Sequence, residues 1–429
     1  MVLLHTADIH VGAFSSHTQF QGVGINALRR VVDYALDVDA EVVIIAGDLL
    51  HLPRLGSVKL LNDVIAELRR LSEAGIPVVG VRGSHDTSPT LHDHLATLER
   101  AGLIHVTRYR FEWNVLVLEP LVLGDRVFYG IPGLKNGAET EFIRGRRVRF
   151  IPPEGVEGGK IIVLAHTHVS FPGYNPADYA KRYGAGERLV PGILEKVLPK
   201  GTAYVALGHI HYPLPPSKVF KGRVAYPGAP VGSTVDDLRE TLDLRRRGYD
   251  RRVLVVDDSK DPPEITSMYD SFDVAVEELP VRWVDEAQLI RDVRRVAEGL
   301  DAKYKAILLT TEEISRDSIG DFIRAASAAA TLTGALVTYR IARGEDIDVF
   351  AEIQALLSGT DREHLERKAI EEFVRREGLA PPGREGEVVE AFLHLMDTMG
   401  DIEGTKAERA QRIIEVIRKT LLPVMGGRE

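Results

Sequence analysis

Along the first half of the chain the apolar positions alternate between two spacings. Short runs rich in Val, Ile and Leu, at Val2 to Leu4, Val42 to Ala46, Pro77 to Val81, Lys160 to Ala165 and Thr202 to Leu207, read as buried strands. Between them, Gly22 to Leu36, Val58 to Glu73 and Leu91 to Ala101 repeat apolar residues at helical spacing. Alternation of this kind predicts an α/β fold of layered sheets, with ligand sites at the carboxyl ends of strands.

The pattern changes after Asp257. Asp257-Asp258-Ser259-Lys260-Asp261-Pro262-Pro263 reads as a polar, proline-closed linker, and a domain boundary is expected there. From Glu264 to Glu345 the sequence predicts a small α+β module. It comprises a strand-like run from Thr266 to Val276, a helix from Asp285 to Gly299, a strand from Ala306 to Thr310, a helix from Arg316 to Ala330 and a strand from Leu336 to Arg340. From Asp346 onward only helices are expected, at Glu363 to Glu377, Glu385 to Thr398 and Lys406 to Leu422, broken by Pro381-Pro382-Gly383 and by Gly400 to Gly404. Val388, Val389, Phe392, Leu393 and Met396 form one apolar face, suited either to a self-packed bundle or to a docking arm covered by another protein. The expected division is therefore 1–257, 264–345 and 346–429.

Composition narrows the chemistry. The 429 residues contain no cysteine, which removes disulfides, thiolate metal sites and cysteine nucleophiles. Any metal must sit on imidazole, carboxylate or amide groups. No apolar stretch is long enough to span a bilayer and the N-terminus carries no signal-peptide pattern, so a cytosolic protein is expected. A formal net charge of −9 argues against general coating of nucleic acid. Two local basic runs stand out against it: Arg144 to Arg149, and Arg245-Arg246-Arg247 followed by Arg251-Arg252.

Five polar clusters end five of the predicted strands. They are Asp8-Ile9-His10, Gly47-Asp48-Leu49-Leu50-His51, Gly83-Ser84-His85-Asp86, His166-Thr167-His168 and Gly208-His209-Ile210-His211. A lone Asp-x-His is a common accident, but five strands delivering His and Asp to one rim are not. Hydrolysis of a phosphodiester brings an anionic nucleophile to an anionic centre, and two divalent cations ease that approach. Oxygen and imidazole ligands suit manganese or a similar ion.

Taken together and in this order, the five clusters resemble the calcineurin-like metallophosphoesterase superfamily. Within it, His5-Thr6-Ala7-Asp8-Ile9-His10-Val11-Gly12, Ala46-Gly47-Asp48-Leu49-Leu50-His51, Leu207-Gly208-His209-Ile210-His211 and Tyr226-Pro227-Gly228-Ala229-Pro230 resemble SbcD-type DNA double-strand-break repair nucleases. The resemblance covers about the first 250 residues. It implies a layered β-sandwich nuclease domain, a small capping domain at 264–345 that shapes a DNA channel, and a helical arm at 346–429. It further implies that Asp8, His10 and His211 hold one metal, that His166 and His209 hold the other, and that Asp48 bridges the two. His85 would donate a proton to the leaving group or stabilise the transition state, and His51 would position the phosphate. Where the family has asparagine before that histidine, this chain has Ser84, a shorter and weaker neutral ligand for the second metal. His168 has no family counterpart and is expected to neighbour the site.

The expected partners follow from the same resemblance: DNA ends, a second copy of the chain, and an SbcC-type coiled-coil ATPase bound through the C-terminal helices. Val58 to Glu73, with Leu60, Leu61, Val64, Ile65 and Leu68, and Leu91 to Ala101 are the candidate dimer helices. Arg245, Arg246, Arg247, Arg251 and Arg252, just before the capping module, are candidate phosphate contacts. Two other readings stand beside the manganese-dependent exo- and endonuclease. One is a different calcineurin-like phosphoesterase, and the other is a scaffold that binds DNA ends with a site weakened by Ser84.

Overall fold

The computed structural model describes residues 2–341, apart from 16, 87–92, 156–157, 172, 175–189, 192–193, 312–313 and 315–317, and beyond them 374, 384 and 386–391. The chain groups into two units, Met1–Leu309 with Arg316–Tyr339, and Thr310–Ser315 with Arg340–Glu429.

The first unit is mixed α/β, built on two sheets. In the seven-stranded sheet, β1 (Val2–Thr6), β2 (Val42–Ile45), β3 (Val78–Gly80) and β4 (His105–Val106) run parallel in that order. The far side of β1 pairs antiparallel with Arg252–Asp257, followed by Glu264–Tyr269 and Val219–Lys221. The five-stranded sheet is ordered Val224–Ala225, Thr202–Gly208, Lys160–His166, Arg126–Ile131 and Leu121–Leu123, with its central strands parallel.

Strand alternation explains how the layers hold together. Leu3, Val42, Ile44, Ala46, Ile162, Leu164, Tyr204 and Ala206 face one another in the core between the sheets. Their neighbours Leu4, Val43 and Ile45 face the other way, onto α1 (Val23–Asp37) and α2 (Val58–Glu73). Val163, Ala165, Val205 and Leu207 likewise build a separate core on the outer face of the second sheet. Both faces of the central strands are buried, which is why these strands read as continuous apolar runs.

Several expectations shift. The polar segment after Asp257 is no domain linker: it turns the chain between antiparallel strands of one sheet, so the first sheet extends to Tyr269. The run Thr266 to Val276 is two strands, Glu264–Tyr269 and Val274–Pro280, separated where Phe272 and Asp273 adopt positive φ of 51° and 58°. The second belongs to a three-stranded sheet with Tyr304–Thr311 and Leu336–Ile341, beside helices Glu286–Gly299 and Ile319–Thr333. The helix expected from Leu91 is α3, His94–Arg100, with the Asp93 carboxylate accepting from the Ala96 N–H at 2.8 Å as its cap. In α2, Val64 and Leu68 are buried in the core while Leu60, Leu61 and Ile65 pack against its edge, so much of that stripe is committed to the fold. Most of the expected C-terminal helices lie outside the described residues; within them, 386–391 are helical, with Val388 and Val389 buried. No helix among the described residues is long and apolar enough to cross a membrane.

Candidate metal centre

Parallel strands bring their carboxyl ends to one rim, and the five polar clusters meet there. Asp8 and His10 follow β1, Asp48 and His51 follow β2, and Ser84 and His85 follow β3. From the second sheet, His166 ends the strand Lys160–His166 and His209 and His211 follow Thr202–Gly208. Asp8, His10, Asp48 and His209 all hold positive φ, of 54°, 50°, 51° and 92°. Non-glycine residues rarely adopt that conformation, and its clustering at one rim is typical of a functional site. Two glycines make the approach possible for different reasons. Gly47 turns the chain at φ 92°, whereas Gly83 is required by contact: a Cβ there would lie 2.0 Å from Asp48 Oδ1.

Two groups of ligand atoms converge. Asp8, His10 and His211 form one, and Asp48, His166 and His209 form the other. His10 Nε2 lies 3.1 Å from His211 Nε2 and 3.8 Å from Asp48 Oδ2. On the other side, His166 Nε2 lies 3.2 Å from Asp48 Oδ2 and 3.1 Å from His209 Nδ1. Asp48 therefore stands between the groups. The remaining ring nitrogens are oriented by the protein: His211 Nδ1 is 2.8 Å from Asp237 Oδ1, and His166 Nδ1 is 2.9 Å from the Ala46 carbonyl. With those nitrogens donating, each Nε2 presents a lone pair to the centre. His10 Nδ1 is buried without a hydrogen-bond partner among the described residues. Facing lone pairs, an all-nitrogen and oxygen donor set and a central carboxylate fit divalent cations well.

The electrostatics agree. Burial, opposed by nearby imidazoles, pushes the Asp8 carboxyl up to about 6. Burial and then the neighbouring Asp48 charge push Asp86 up to about 7. For His166, burial opposes protonation, but Asp48 and then Asp8 outweigh it and raise the ring to about 10. Such a cluster holds protons where cations would otherwise balance the charge.

His85 and His51 flank the first group. Their rings stack at 5.1 Å between centroids, and His85 lies 4.8 Å from the His10 ring. The His85 N–H donates to Asp48 Oδ1 at 2.8 Å, and His85 Nδ1 lies 2.9 Å from the His51 carbonyl. Ser84 is half-buried, its hydroxyl 3.4 Å from Asp48 Oδ2. His168 is closer than a bystander: its Nε2 lies 2.9 Å from His209 Nε2.

The expected phosphate-contacting arginines divide. Arg251 and Arg252 are fully buried, which contradicts a DNA-contacting role for both. Arg251 donates to the His211 and Asp237 carbonyls, and Arg252 to the Tyr226 carbonyl and the Ser267 hydroxyl. Arg245, Arg246 and Arg247 lie beside Asp250, Glu278 and Asp243 respectively.

Of three supporting residues, Asp86 was named in its cluster without a role, and Glu139 and Asp237 were missed in the sequence. Asp86 accepts from the Leu50 and Gly83 N–H groups, Glu139 from Thr167 Oγ1, and Asp237 holds His211. Of the two missed, only Asp237 carries a local signal, the Thr-Val-Asp-Asp start of a capping box, and that predicts a helix rather than a contact to His211.

Comparison with known proteins agrees with this geometry. Residues 1–213 match the family described as calcineurin-like phosphoesterase. Among curated proteins, one named DNA double-strand break repair protein Mre11 from Haloferax volcanii is 33% identical over 165 residues, 38% of this chain and 33% of that protein. Proteins of the same name from Methanopyrus kandleri and Aeropyrum pernix are 26% and 28% identical over 265 and 219 residues. Those alignments cover 58% and 49% of this chain, and 53% and 49% of the relatives. The chain thus spans from a third to about half the length of these relatives. A crystal structure from Thermus thermophilus, of the protein TT1561, aligns over 62% of this chain and 98% of its own, at 14% identity and a TM-score of 0.34, too distant to support any inference. Over residues 1–213, just under half of its length, the chain is thus similar to the calcineurin-like phosphoesterase family.

Proposed function

We propose that this chain is a metal-dependent phosphodiesterase that cuts DNA at ends, the nuclease subunit of a double-strand-break repair complex. The observation that carries the reading is Asp48, 3.2 Å from His166 Nε2 and 3.8 Å from His10 Nε2, between two groups of ligands on one rim. Asp8, His10 and His211 would hold one divalent ion, His166 and His209 a second, and Asp48 both. When bound, such ions activate water and neutralise charge on the phosphate. Manganese suits the ligand types.

The protein's own groups act around that pair. His85, its backbone fixed to Asp48 and its Nδ1 to the His51 carbonyl, keeps Nε2 available to exchange a proton with the substrate. His51, stacked on it, would position the phosphate. The names of the archaeal relatives, DNA double-strand break repair proteins, support broken DNA as substrate. Exo- and endonuclease action, a homodimer, an SbcC-type ATPase on the C-terminal helices and a cytosolic location are proposed with it, on the resemblance of the motif residues alone. Arg245, Arg246 and Arg247 remain candidate phosphate contacts.

Ser84 favours a second reading, a DNA-end-binding subunit with weakened catalysis, because a hydroxyl 3.4 Å from Asp48 replaces a longer amide ligand. One assay separates the two. The chain is incubated with manganese and end-labelled linear duplex DNA, beside His85→Ala and Ser84→Asn. Cleavage by the parent that is lost in His85→Ala supports the nuclease. Cleavage only in Ser84→Asn supports the scaffold, and cleavage by none of them refutes both the nuclease and the Ser84 explanation.

A further inference from the structure

The basic run Arg144 to Arg149 plays no part in the metal centre, and the fold sets it beside a fully exposed tryptophan. Strands Tyr109–Glu112 and Val115–Leu118 form an antiparallel hairpin, and Val148–Phe150 joins it in parallel. Trp113 sits in the two-residue turn at 104% relative exposure. It also holds a positive φ of 54°, an uncommon conformation for a bulky side chain. A tryptophan that strains the backbone and gains nothing by burial has no evident role in stability.

An aromatic stripe leads back from this tip. Tyr109 and Phe111 share one face of their strand, with ring centroids 5.8 Å apart. Phe111 is 49% exposed and lies 5.5 Å from Phe142, and Arg147 lies 4.9 Å over the Phe142 ring. At the inner end Tyr109 is half-buried and feels the charges of Arg82 and Asp93, the former two residues before Ser84. The stripe therefore runs from half-buried Tyr109 out to the exposed tip. Arg144 and Arg149 beside it are paired with Glu141 and Glu112. Arg146 is exposed and forms no ion pair among the described residues.

We propose that this hairpin docks a single strand of nucleic acid, with bases stacking on Trp113 and Phe111 and phosphates meeting Arg146 and its neighbours. Exposed aromatics interleaved with arginines supply both halves of such recognition, a π-face for any base and positive charge along the backbone. A positive run on a chain of net charge −9 selects an anionic partner. Docking stands on these residues alone. Delivery of the strand to the metal rim rests on the nuclease reading above.

The sequence supplies a reporter, because Trp113 and Trp283 are its two tryptophans. Full-length protein carrying Trp283→Phe emits from Trp113 alone. Titration with oligothymidylate in EDTA should quench that emission saturably and less tightly as salt rises. Trp113→Ala should weaken binding of a labelled oligonucleotide, read by anisotropy, by about tenfold, the loss of one stacked base. Arg146→Glu should weaken it further and flatten the salt dependence. Oligonucleotide that binds by anisotropy yet leaves Trp113 emission unchanged overturns the proposal. So does a blue shift with protein concentration alone, which would make the hairpin a protein-docking tip. The two readings fail separately. Manganese-dependent cleavage with a silent Trp113 removes only the docking site, and a quenched Trp113 without cleavage removes only the nuclease.

Discussion

Replacing Asp237 by asparagine should weaken metal binding without touching a metal ligand. Four donors converge on this carboxylate: His211 Nδ1 at 2.8 Å on Oδ1, and Ser233 N, Thr234 N and Thr234 Oγ1 at 2.8, 2.9 and 2.9 Å on Oδ2. An amide has a single acceptor oxygen, so one set must lose its partner. If the oxygen stays toward His211, the NH2 group faces two backbone N–H groups at the start of helix Val235–Arg246. Unsatisfied donors and a broken cap then cost about 2–4 kcal/mol of stability. If the amide flips, its NH2 faces His211 Nδ1, which must give up its proton. The imidazole proton then moves to Nε2, the atom 3.1 Å from His10 Nε2 that would hold the ion. Losing an orienting partner of this kind typically weakens metal affinity about 10–100-fold. Calorimetric titration of the full chain with manganese, beside thermal unfolding of the metal-free protein, separates the outcomes. Loss of stability with manganese affinity intact would refute the tautomer argument, and no change in either would refute the support role altogether.

Ser84→Asn should tighten the Asp48, His166 and His209 group, raising manganese affinity several-fold in a calorimetric titration; equal or weaker binding would show that Ser84 does not face that ion. Gly83→Ala should lower the proposed manganese-dependent hydrolysis about 100-fold with the circular dichroism spectrum retained, because its Cβ would meet Asp48 Oδ1 at 2.0 Å and displace the carboxylate that stands between the two candidate ligand groups. His5 gives a pH prediction. Burial lowers its ring to about 3, so between pH 6.5 and 3 the unfolded chain takes up a proton that the folded one refuses. Its contribution is therefore intact above pH 6.5 and lost as pH falls, at about 1.4 kcal/mol per pH unit. Urea melts at pH 7 and 5 should show a smaller loss in His5→Gln than in the parent, and parallel losses would refute the assignment.

Much of this candidate centre was legible because its proposed ligands lie at strand ends, where a continuous apolar run stops and a polar cluster starts. Asp8, His10, Asp48, His166, His209 and His211 are each within a few residues of such a stop, and parallel pairing carries them to one rim. The second sheet was harder to see. Its strand Arg126–Ile131 follows a series of short strands and precedes only the brief helices Lys135–Gly137 and Glu139–Arg144, so no sustained alternation of spacing marks it. The break at Phe272 and Asp273 was missed because its turn is marked only by Asp270, Ser271 and Asp273, without glycine or proline. Asp237 and Glu139 were invisible because their partners, His211 and Thr167, are 26 and 28 residues away in the chain.

Arg251 and Arg252 show how a charge run can mislead and what corrects it. Arg251 precedes and Arg252 begins the strand Arg252–Asp257, whose Val253, Leu254 and Val256 are buried on both faces, between β1 and Glu264–Tyr269. A charge at the head of such a strand has no route to water and must be satisfied by the protein. Arg252 therefore ties together the Tyr226 carbonyl and Ser267, and Arg251 ties the His211 carbonyl to that of Asp237 and to Thr241. His211 is thus held twice, at its ring by Asp237 and at its backbone by Arg251. Both supports lie beyond residue 213, where the family match ends. The ligands of the candidate metal centre fall inside the matched region, but the groups that fix the geometry of His211 come from helix Val235–Arg246 and the strand after it.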